Sequence, residues 1–230
     1  MIEIYADGSN LNEMIELKFD KNISGFTTNP SLMKKAGVTD YLKFVKDATN
    51  SIKTKPISFE VFSDDLFEME KQARLLSSIA PNIYVKIPIT NTKGVSTLDL
   101  VSVLEKDGIK VNVTALLDEK SIEDTVDKLR RSLTPNIVSI FCGRIADTGR
   151  DPVSFVQRAL WNRGPNTKIL WASPREVYNL YQASACGCDI ITMSKDLLDK
   201  RKLAHYSLQE YSLDTVKMFY NDAKAAGYTL

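Results

Sequence analysis

Short apolar runs recur along the whole chain and alternate with segments that have helical periodicity. The runs are rich in Ile, Val, Phe and Tyr, and nearly every position in them is apolar, which is typical of strands buried on both faces. We predict eight strands, at residues 2–6, 23–28, 57–62, 83–89, 109–115, 137–141, 168–173 and 189–194.

The segments between these runs predict helices. Residues 64–80 place apolar side chains at positions 66, 69, 73, 76 and 79, which is the spacing of one helix face. Residues 95–108 and 120–133 have similar patterns, and residues 174–187 end on Gly187, which suits a helix C-cap.

Eightfold alternation of strand and helix is typical of parallel βαβ units. We therefore predict an α/β fold with one domain over residues 1–230, a single (β/α)8 TIM barrel, and keep a doubly wound sheet as the alternative. The pattern of the tail predicts an extra amphipathic C-terminal helix at about residues 206–226, which would cap the barrel or pack on a neighbouring subunit.

Composition and charge narrow the classes of partner. The 230 residues include 30 basic and 29 acidic ones, for a formal charge of +1, so no excess charge favours nucleic acid or a membrane surface. No apolar run approaches the roughly 18–20 residues that span a bilayer, and the first residues lack the pattern of a signal peptide. We expect a cytoplasmic enzyme.

Cysteine and histidine are scarce. There are three cysteines, Cys142, Cys186 and Cys188, and this odd number does not indicate a disulfide framework. We expect the cysteines to act as small, half-buried apolar residues beside a strand. With His205 as the only histidine, neither a zinc site of four ligands nor a Ser–His–Asp or Cys–His arrangement is favoured. Acid–base chemistry is therefore expected from carboxylates, Lys or Tyr.

Polar residues gather where the predicted strands end, which is where barrels of this type carry their chemistry. A solvated surface would scatter such residues, whereas here nearly every strand delivers one to the same level. They are Asp7, Thr27, Thr28, Asn29, Glu60, Lys86, Asn112, Thr114, Arg144, Ser173, Arg175 and Thr192.

Lys86 stands out because it lies inside the apolar run 83–89. Strand alternation places Lys86 on the opposite face from Val85 and Ile87, and since these branched residues suit the helix-facing side, Lys86 should point into the barrel. Burial disfavours a charged amine, and a neutral amine can attack a carbonyl to form a Schiff base. The alternative is a structural ion pair with Glu60 or Asp7.

The neighbouring polar residues fit imine chemistry. Glu60, Asp7 and Thr114 would supply its proton transfers. Arg144, Arg175 and Ser173 follow the sixth and seventh strands, where barrels often bind a phosphate, and arginine binds phosphate in a bidentate manner. The alternative for the two arginines is that they are ordinary surface residues.

Four motifs in order resemble those of one family. They are GFTTNPSLMKKAG at 25–37, VKIPIT at 85–90, KVNVTALL at 110–117 and ILWASPRE at 169–176. On these motifs the chain resembles the small transaldolases, a group that also contains fructose-6-phosphate aldolase. The resemblance runs almost end to end, from YADGSN to DIITMSKDLL.

The resemblance implies a role for each matching residue. Lys86 would form the Schiff base with a ketose phosphate, Asp7 would be the acid–base group of C–C cleavage, and Glu60 and Thr114 would hold the catalytic water. Asn29 and Asn112 would bind the hydroxyls of the dihydroxyacetone unit, and Arg144, Ser173 and Arg175 would bind the phosphate. Thr28 and Phe141 are further implied substrate-binding residues.

The resemblance also implies the reaction and its requirements. Fructose 6-phosphate would lose glyceraldehyde 3-phosphate, and the retained unit would pass to erythrose 4-phosphate, with sugar phosphates as the partners and no cofactor or metal. Small transaldolases also tend to form ring-like homo-oligomers that exchange their C-terminal helices, which would suit residues 206–226.

Two positions favour a transferase. Transaldolases resemble this chain in having Glu on the third strand and Phe after the sixth, as in Glu60 and Phe141, whereas the related aldolases have Gln and Tyr. Three alternatives stay open: a fructose-6-phosphate aldolase-like lyase, a transaldolase-like enzyme of a specialised sugar pathway, and a non-catalytic barrel that only binds a sugar phosphate.

Overall fold

Eight parallel strands pair in chain order and close into a barrel, because the first strand also pairs with the last. The computed structural model describes residues 2–230 and confirms the predicted (β/α)8 barrel over a doubly wound sheet. The strands are β1 Glu3–Asp7, β2 Ile23–Thr27, β3 Ile57–Glu60, β4 Ile83–Pro88, β5 Val111–Leu116, β6 Asn136–Ile140, β7 Thr167–Trp171 and β8 Ile190–Ser194.

Helices lie between the strands and end the chain. They are α1 Leu11–Leu17, α2 Pro30–Lys35, α3 Tyr41–Ser51, α4 Leu66–Ile79, α5 Leu98–Lys106, α6 Glu119–Leu129, α7 Cys142–Ala146, α8 Val153–Asn162, α9 Tyr178–Ala185, α10 Lys195–Lys200 and α11 Leu208–Ala225. Side-chain caps fix several starts, as where Asp65 accepts from the Glu68 N–H before α4. Gly187 has a φ of +82° after α9, which confirms the predicted C-cap glycine.

The core lies mainly between the barrel and the helices. Val85 and Ile87 of β4 are fully buried there, and they pack in one cluster with Met69 and Leu76 of α4. The apolar side chains that recur with helical spacing in residues 64–80 therefore form the face of α4 that covers the barrel. Residue 109, expected to begin a strand, instead closes α5, since the Ile109 N–H donates to the Leu104 carbonyl at 3.0 Å.

A second, smaller cluster fills the inside of the barrel and forms the floor under its open end. It contains Tyr5, Ile137, Leu170 and Ile190, with Tyr84 packed against them. The Tyr5 ring crosses over Gly25, where an added Cβ would lie 2.6 Å from the ring. Gly25 is therefore required on β2 for the floor to close.

The C-terminal helix α11 lies within the predicted 206–226 segment but does not cap the barrel. None of its residues is buried against the rest of residues 2–230, and Val216 and Phe219 are among its exposed apolar side chains. The exchange of this helix between subunits stays a prediction. Among the described residues, no helix combines the length and the apolar character needed to cross a membrane.

Candidate active site

A cavity of about 130 Å³ opens at the carboxyl ends of the strands, above the aromatic and aliphatic floor. Seven of the predicted site residues line it together, and they come from six of the eight strands or the loops that follow them. They are Asp7, Asn29, Lys86, Thr114, Phe141, Arg144 and Ser173.

Lys86 points into this cavity and is only 7% exposed, as strand alternation predicts. Its Nζ atom donates to the Thr28 carbonyl at 2.8 Å and lies 3.2 Å from a carboxylate oxygen of Glu60. The predicted ion pair with Glu60 is therefore present. The Thr28 carbonyl accepts from the amine and Glu60 balances its charge, so a neutral amine here can turn its lone pair toward the cavity.

Glu60 reaches the site through Lys86. The two residues are direct register partners on β3 and β4, and their side chains are 17% and 8% exposed. The Tyr41 hydroxyl donates to the Glu60 carbonyl at 2.6 Å and holds the end of β3 in place.

Asp7 ends β1 and lines the same cavity. Burial raises the pKa of its carboxyl above the ordinary value, Glu60 adds to the rise, and Lys86 and the Thr27 hydroxyl oppose it. Thr27 donates to an Asp7 carboxylate oxygen at 2.7 Å. A carboxyl with a raised pKa is a stronger base than an ordinary one, which suits a group that accepts a proton and returns it.

Thr114 brings an unpaired hydroxyl to the cavity wall. Its side chain is 1% exposed, and the hydroxyl has no hydrogen-bond partner among residues 2–230. The next residue, Ala115, has a φ of +62°, and the β5–β6 pairing shifts register between Val113 and Leu116. A non-glycine residue in the left-handed region is strained, and here the strain accompanies the irregularity in the pairing of β5 just after Thr114.

Asn112 lies beneath the cavity rather than on its wall. It is fully buried, donates through Nδ2 to the Ser58 hydroxyl at 3.1 Å and accepts from the Ser139 hydroxyl at 2.6 Å. The sequence predicts that Asn112 contacts the substrate directly, but this buried position does not favour such a contact. Asn112 instead orients Ser139, which does line the cavity.

Thr28 also departs from the expectation of a substrate-binding side chain. Its side chain is fully buried, and its hydroxyl donates to the Ser58 carbonyl at 2.9 Å. Alternation along β2 explains this, since Thr27 faces inward and Thr28 therefore faces out. Thr28 contributes its carbonyl, which accepts from Lys86.

Asn29 begins α2 and faces the cavity at the same time. Its Oδ1 atom accepts from the Leu32 N–H at 2.9 Å, as an N-cap residue does. Since the cap occupies the oxygen, the amide nitrogen is the group that can donate to a hydroxyl in the cavity.

A cationic corner is formed where β6 and β7 end. The Arg144 guanidinium lies 5.5 Å from the centre of the Phe141 ring, and both residues line the cavity with Ser173. Gly143 makes this approach possible, because a Cβ there would lie 1.6 Å from the Ser173 carbonyl oxygen. Ser173 itself has a φ of +61°.

Arg175 does not line the cavity. It forms a two-point ion pair with Asp147, through Nε to Oδ1 at 3.1 Å and through Nη2 to Oδ2. The hydrogen bond from Arg175 lowers the pKa of Asp147, and the charge of Arg144 adds to this effect. In this arrangement a carboxylate occupies the guanidinium that was predicted to bind phosphate, and both side chains are half exposed.

The structure adds five residues to the cavity wall that the sequence interpretation did not assign to the site. They are Thr27, Ser139, Leu170, Ala172 and Thr192. The sequence places Thr27 and Thr192 at strand ends but indicates no role for either side chain. Ser139 could have been found by alternation, since it lies two positions before Phe141 on β6 and so shares its face.

Known proteins resemble this chain over most of its length. A family model described as Transaldolase/Fructose-6-phosphate aldolase matches residues 4–230. A protein named probable transaldolase from Thermoanaerobacter sp. (strain X514) is 36% identical over 200 residues, which cover 86% of this chain and 88% of that protein. Another of that name, from Methanococcus maripaludis (strain S2), is 33% identical over 202 residues, covering 86% and 89%.

Solved structures share the fold. The 3-hexulose-6-phosphate synthase from Salmonella typhimurium superposes with a TM-score of 0.59 at 14% identity, over 84% of this chain and 89% of that one. At this identity the likeness concerns the barrel alone.

Proposed function

Since this chain belongs to the transaldolase/fructose-6-phosphate aldolase family, we propose that it is a transaldolase that works through a Schiff base on Lys86. It transfers a dihydroxyacetone unit from fructose 6-phosphate to erythrose 4-phosphate. The observation that carries this proposal is the buried amine of Lys86, which opens into a cavity lined by a carboxyl group with a raised pKa and by a cationic corner.

Schiff-base formation starts from the held amine. With one N–H bonded to the Thr28 carbonyl, the amine gives a proton to the neighbouring Glu60 carboxylate, and its freed lone pair attacks the C2 carbonyl of the ketose. A proton moves from this nitrogen to the former carbonyl oxygen to give the carbinolamine, and Glu60 returns its proton to that hydroxyl, which leaves as water and gives a cationic imine. Glu60 lies beside the nitrogen, so its negative charge stabilises the cation, and the unpaired hydroxyl of Thr114 is available to hold the water.

Cleavage then needs a base for the C4 hydroxyl. Asp7 takes that proton, the C3–C4 bonding electrons move into the imine to give an enamine, and glyceraldehyde 3-phosphate leaves. Attack of the enamine carbon on the aldehyde of erythrose 4-phosphate reverses these steps and forms a new ketose phosphate. Asp7 returns its proton to the new alkoxide, and water releases the product from Lys86.

The phosphate group is assigned to the cationic corner. Arg144 supplies a guanidinium on the cavity wall and Ser173 a hydroxyl, and charge-assisted hydrogen bonds of this kind are the stronger ones. Arg175 joins them only if it leaves Asp147.

Transfer is preferred over hydrolysis because of one wall residue, Phe141. Release of free dihydroxyacetone needs a proton on the enamine carbon and then hydrolysis of the imine. Phe141 has no hydroxyl with which to hold a water for these steps, and its ring packs against the Arg144 guanidinium. A lyase that releases free dihydroxyacetone is the second candidate, and its mark would be turnover without an acceptor.

Borohydride trapping tests the Schiff base. The protein incubated with fructose 6-phosphate and reduced should gain the mass of a dihydroxyacetone unit on the peptide that contains Lys86. Lys86→Met should abolish the adduct, whereas Lys110→Met should keep it, because Lys110 bonds the Pro81 carbonyl at the other end of the barrel. Binding of fructose 6-phosphate without any adduct on Lys86 would identify a non-catalytic sugar-phosphate barrel instead.

An acceptor test separates the two activities. Release of glyceraldehyde 3-phosphate should depend on erythrose 4-phosphate if the protein is a transaldolase. Equal rates with and without this acceptor would assign the lyase activity.

A further inference from the structure

A chain of hydroxyl groups crosses the inner side of β1 and ends on Asp7. The Thr27 hydroxyl lies 2.7 Å from Asp7 Oδ1 and 2.5 Å from the Thr192 hydroxyl. Because β1 pairs with β2 on one side and with β8 on the other, the bond between Thr27 and Thr192 spans the strand that carries Asp7. We name these three residues the hydroxyl relay.

The direction of the relay follows from the number of hydrogens. An ionised carboxylate only accepts, so the Thr27 hydroxyl donates its single hydrogen to Asp7. Its bond to Thr192 must then be one in which Thr192 donates and Thr27 accepts. The hydroxyls therefore point the same way, from Thr192 through Thr27 to Asp7, and each such bond polarises the next.

Both threonines are buried at the cavity wall, with Thr27 3% and Thr192 5% exposed. Within residues 2–230, the Thr192 hydroxyl has Thr27 as its hydrogen-bond partner. Valine has nearly the same shape as threonine and would fill either position without the cost of burying a hydroxyl. The presence of two adjoining hydroxyls next to a carboxylate therefore calls for a role in the chemistry of that carboxylate.

We propose that Thr192 is a positioning residue that acts through Thr27, so that Asp7 is held in its ionised form and aimed at the cavity. The inference rests on the proposed function for the role of Asp7 as base, but the relay itself is a property of the free protein. When Asp7 has taken a proton, both threonine hydroxyls can reverse, and Thr192 then donates into the cavity.

Other charged groups also act on Asp7 and set its background. Lys86 on β4 and Glu60 on β3 face it inside the barrel, with opposing effects. On its outer side a neighbouring depression contains Glu13 of α1, Lys35 of α2, and Lys195 with Asp196 of α10. Substitutions at Thr192 leave all of these in place, so a change in the titration of Asp7 reports on the hydroxyl.

Direct titration of Asp7 tests the relay without turnover. The protein labelled with 13C at aspartate carboxyl carbons gives an Asp7 resonance, assigned by its loss in Asp7→Asn. Thr192→Val removes the donor that polarises Thr27 and so weakens the bond from Thr27 to the carboxylate, which should move the titration midpoint up by about half a pH unit. Thr27→Val should move it further, and Thr192→Ser should bring it back toward the wild-type midpoint.

The pH profile of kcat/KM for fructose 6-phosphate provides the second readout. The pH at which kcat/KM falls on the acid side should rise in Thr192→Val by the same amount as the NMR midpoint. Well above that pH, kcat/KM should change little. Thr125→Val, a buried threonine on α6 that bonds only the Ser121 carbonyl, should leave both unchanged. Thermal melting checks that each variant is folded.

Two results would overturn the relay. One is an unchanged Asp7 midpoint in a folded Thr192→Val protein, and the other is an equal shift in Thr192→Val and Thr192→Ser, which would assign the effect to packing. If the midpoint shifts but fructose 6-phosphate forms no adduct on Lys86, the relay holds and the proposed function fails.

Discussion

Glu60 and Lys86 are register partners on adjacent strands, and their charged groups lie 3.2 Å apart inside the barrel. The sequence left two interpretations of Lys86 open, a nucleophile or a structural ion pair, and the geometry contains both. The same carboxylate that pairs with the amine would face the cationic imine after it forms. A substitution that removes the charge of Glu60 but keeps its shape therefore distinguishes a structural ion pair from a role in imine chemistry.

We predict that Glu60→Gln lowers kcat by about 100-fold, in the range expected of acid–base groups, with a smaller change in KM. Glutamine can still accept from the amine, but it neither stabilises the cation nor transfers a proton. The rate of borohydride trapping in a single turnover is the measurement, and the adduct should form slowly yet still on Lys86. Glu60→Asp, which retains the charge, should be less impaired; equal rates for the wild type and Glu60→Gln would assign Glu60 a purely structural role.

The two arginines of the predicted phosphate site should differ in importance. Loss of a charged hydrogen-bond donor costs about 1.5–3 kcal/mol, so Arg144→Met should raise KM for fructose 6-phosphate roughly 10–100-fold. Arg175→Met should raise it less, because Asp147 already occupies Arg175. Steady-state kinetics with fructose 6-phosphate gives both values. A larger effect at Arg175 would mean that Asp147 releases it when substrate binds, and Asp147→Asn should then strengthen competitive inhibition by inorganic phosphate.

The barrel and the position of Lys86 could be predicted because both depend on short-range periodicity. Apolar runs at eight places define the strands, and alternation within 83–89 fixes the direction of Lys86. The same rule, applied to β2, predicts that Thr27 and not Thr28 directs its side chain into the cavity. Family motifs pointed to Thr28, but the side on which a strand residue lies is decided by the pleat.

Other features of the site depend on contacts between distant segments. That Asn112 lies below the cavity follows from its bonds to Ser58 and Ser139, which come from two other strands. The ion pair between Arg175 and Asp147 joins residues 28 positions apart, and nothing local in either segment indicates it. The periodicity of the sequence therefore predicts where the strands lie. The hydrogen-bond and ion-pair partners of the polar side chains are known only once the barrel is closed.

Phe141→Tyr should shift the reaction toward hydrolysis. A hydroxyl at this position would face the cavity beside Arg144 and could hold a water that protonates the enamine carbon. The imine would then hydrolyse, so dihydroxyacetone should appear without an acceptor. The ratio of rates without and with erythrose 4-phosphate is the measurement, and we expect it to rise about 10-fold or more, a modest part of the effect of a general acid or base. Phe141→Leu, which adds no hydroxyl, is the control, and a similar rise in that variant would assign the effect to lost packing.

The raised pKa of Asp7 makes a prediction about stability. Burial raises this pKa in the folded state, so between the ordinary value near 3.9 and the raised one the folded protein binds more protons than the unfolded chain. Stability therefore falls as pH rises through this window, and the cost of the buried charge is complete above it. Asp7→Asn removes that cost and should be inactive but more stable than the wild type at pH 7.

Thermal melting of both proteins across pH measures this difference. The Tm of Asp7→Asn should exceed that of the wild type at pH 7, by about 2–4 °C for each kcal/mol gained, and the gap should close as pH falls toward 4. Asp64→Asn is the matched control of opposite sign, because hydrogen bonds from Thr92 lower the pKa of Asp64, and its loss should destabilise at pH 7. A lower Tm for Asp7→Asn at pH 7 would show that Lys86 and Thr27 outweigh the burial of the carboxylate.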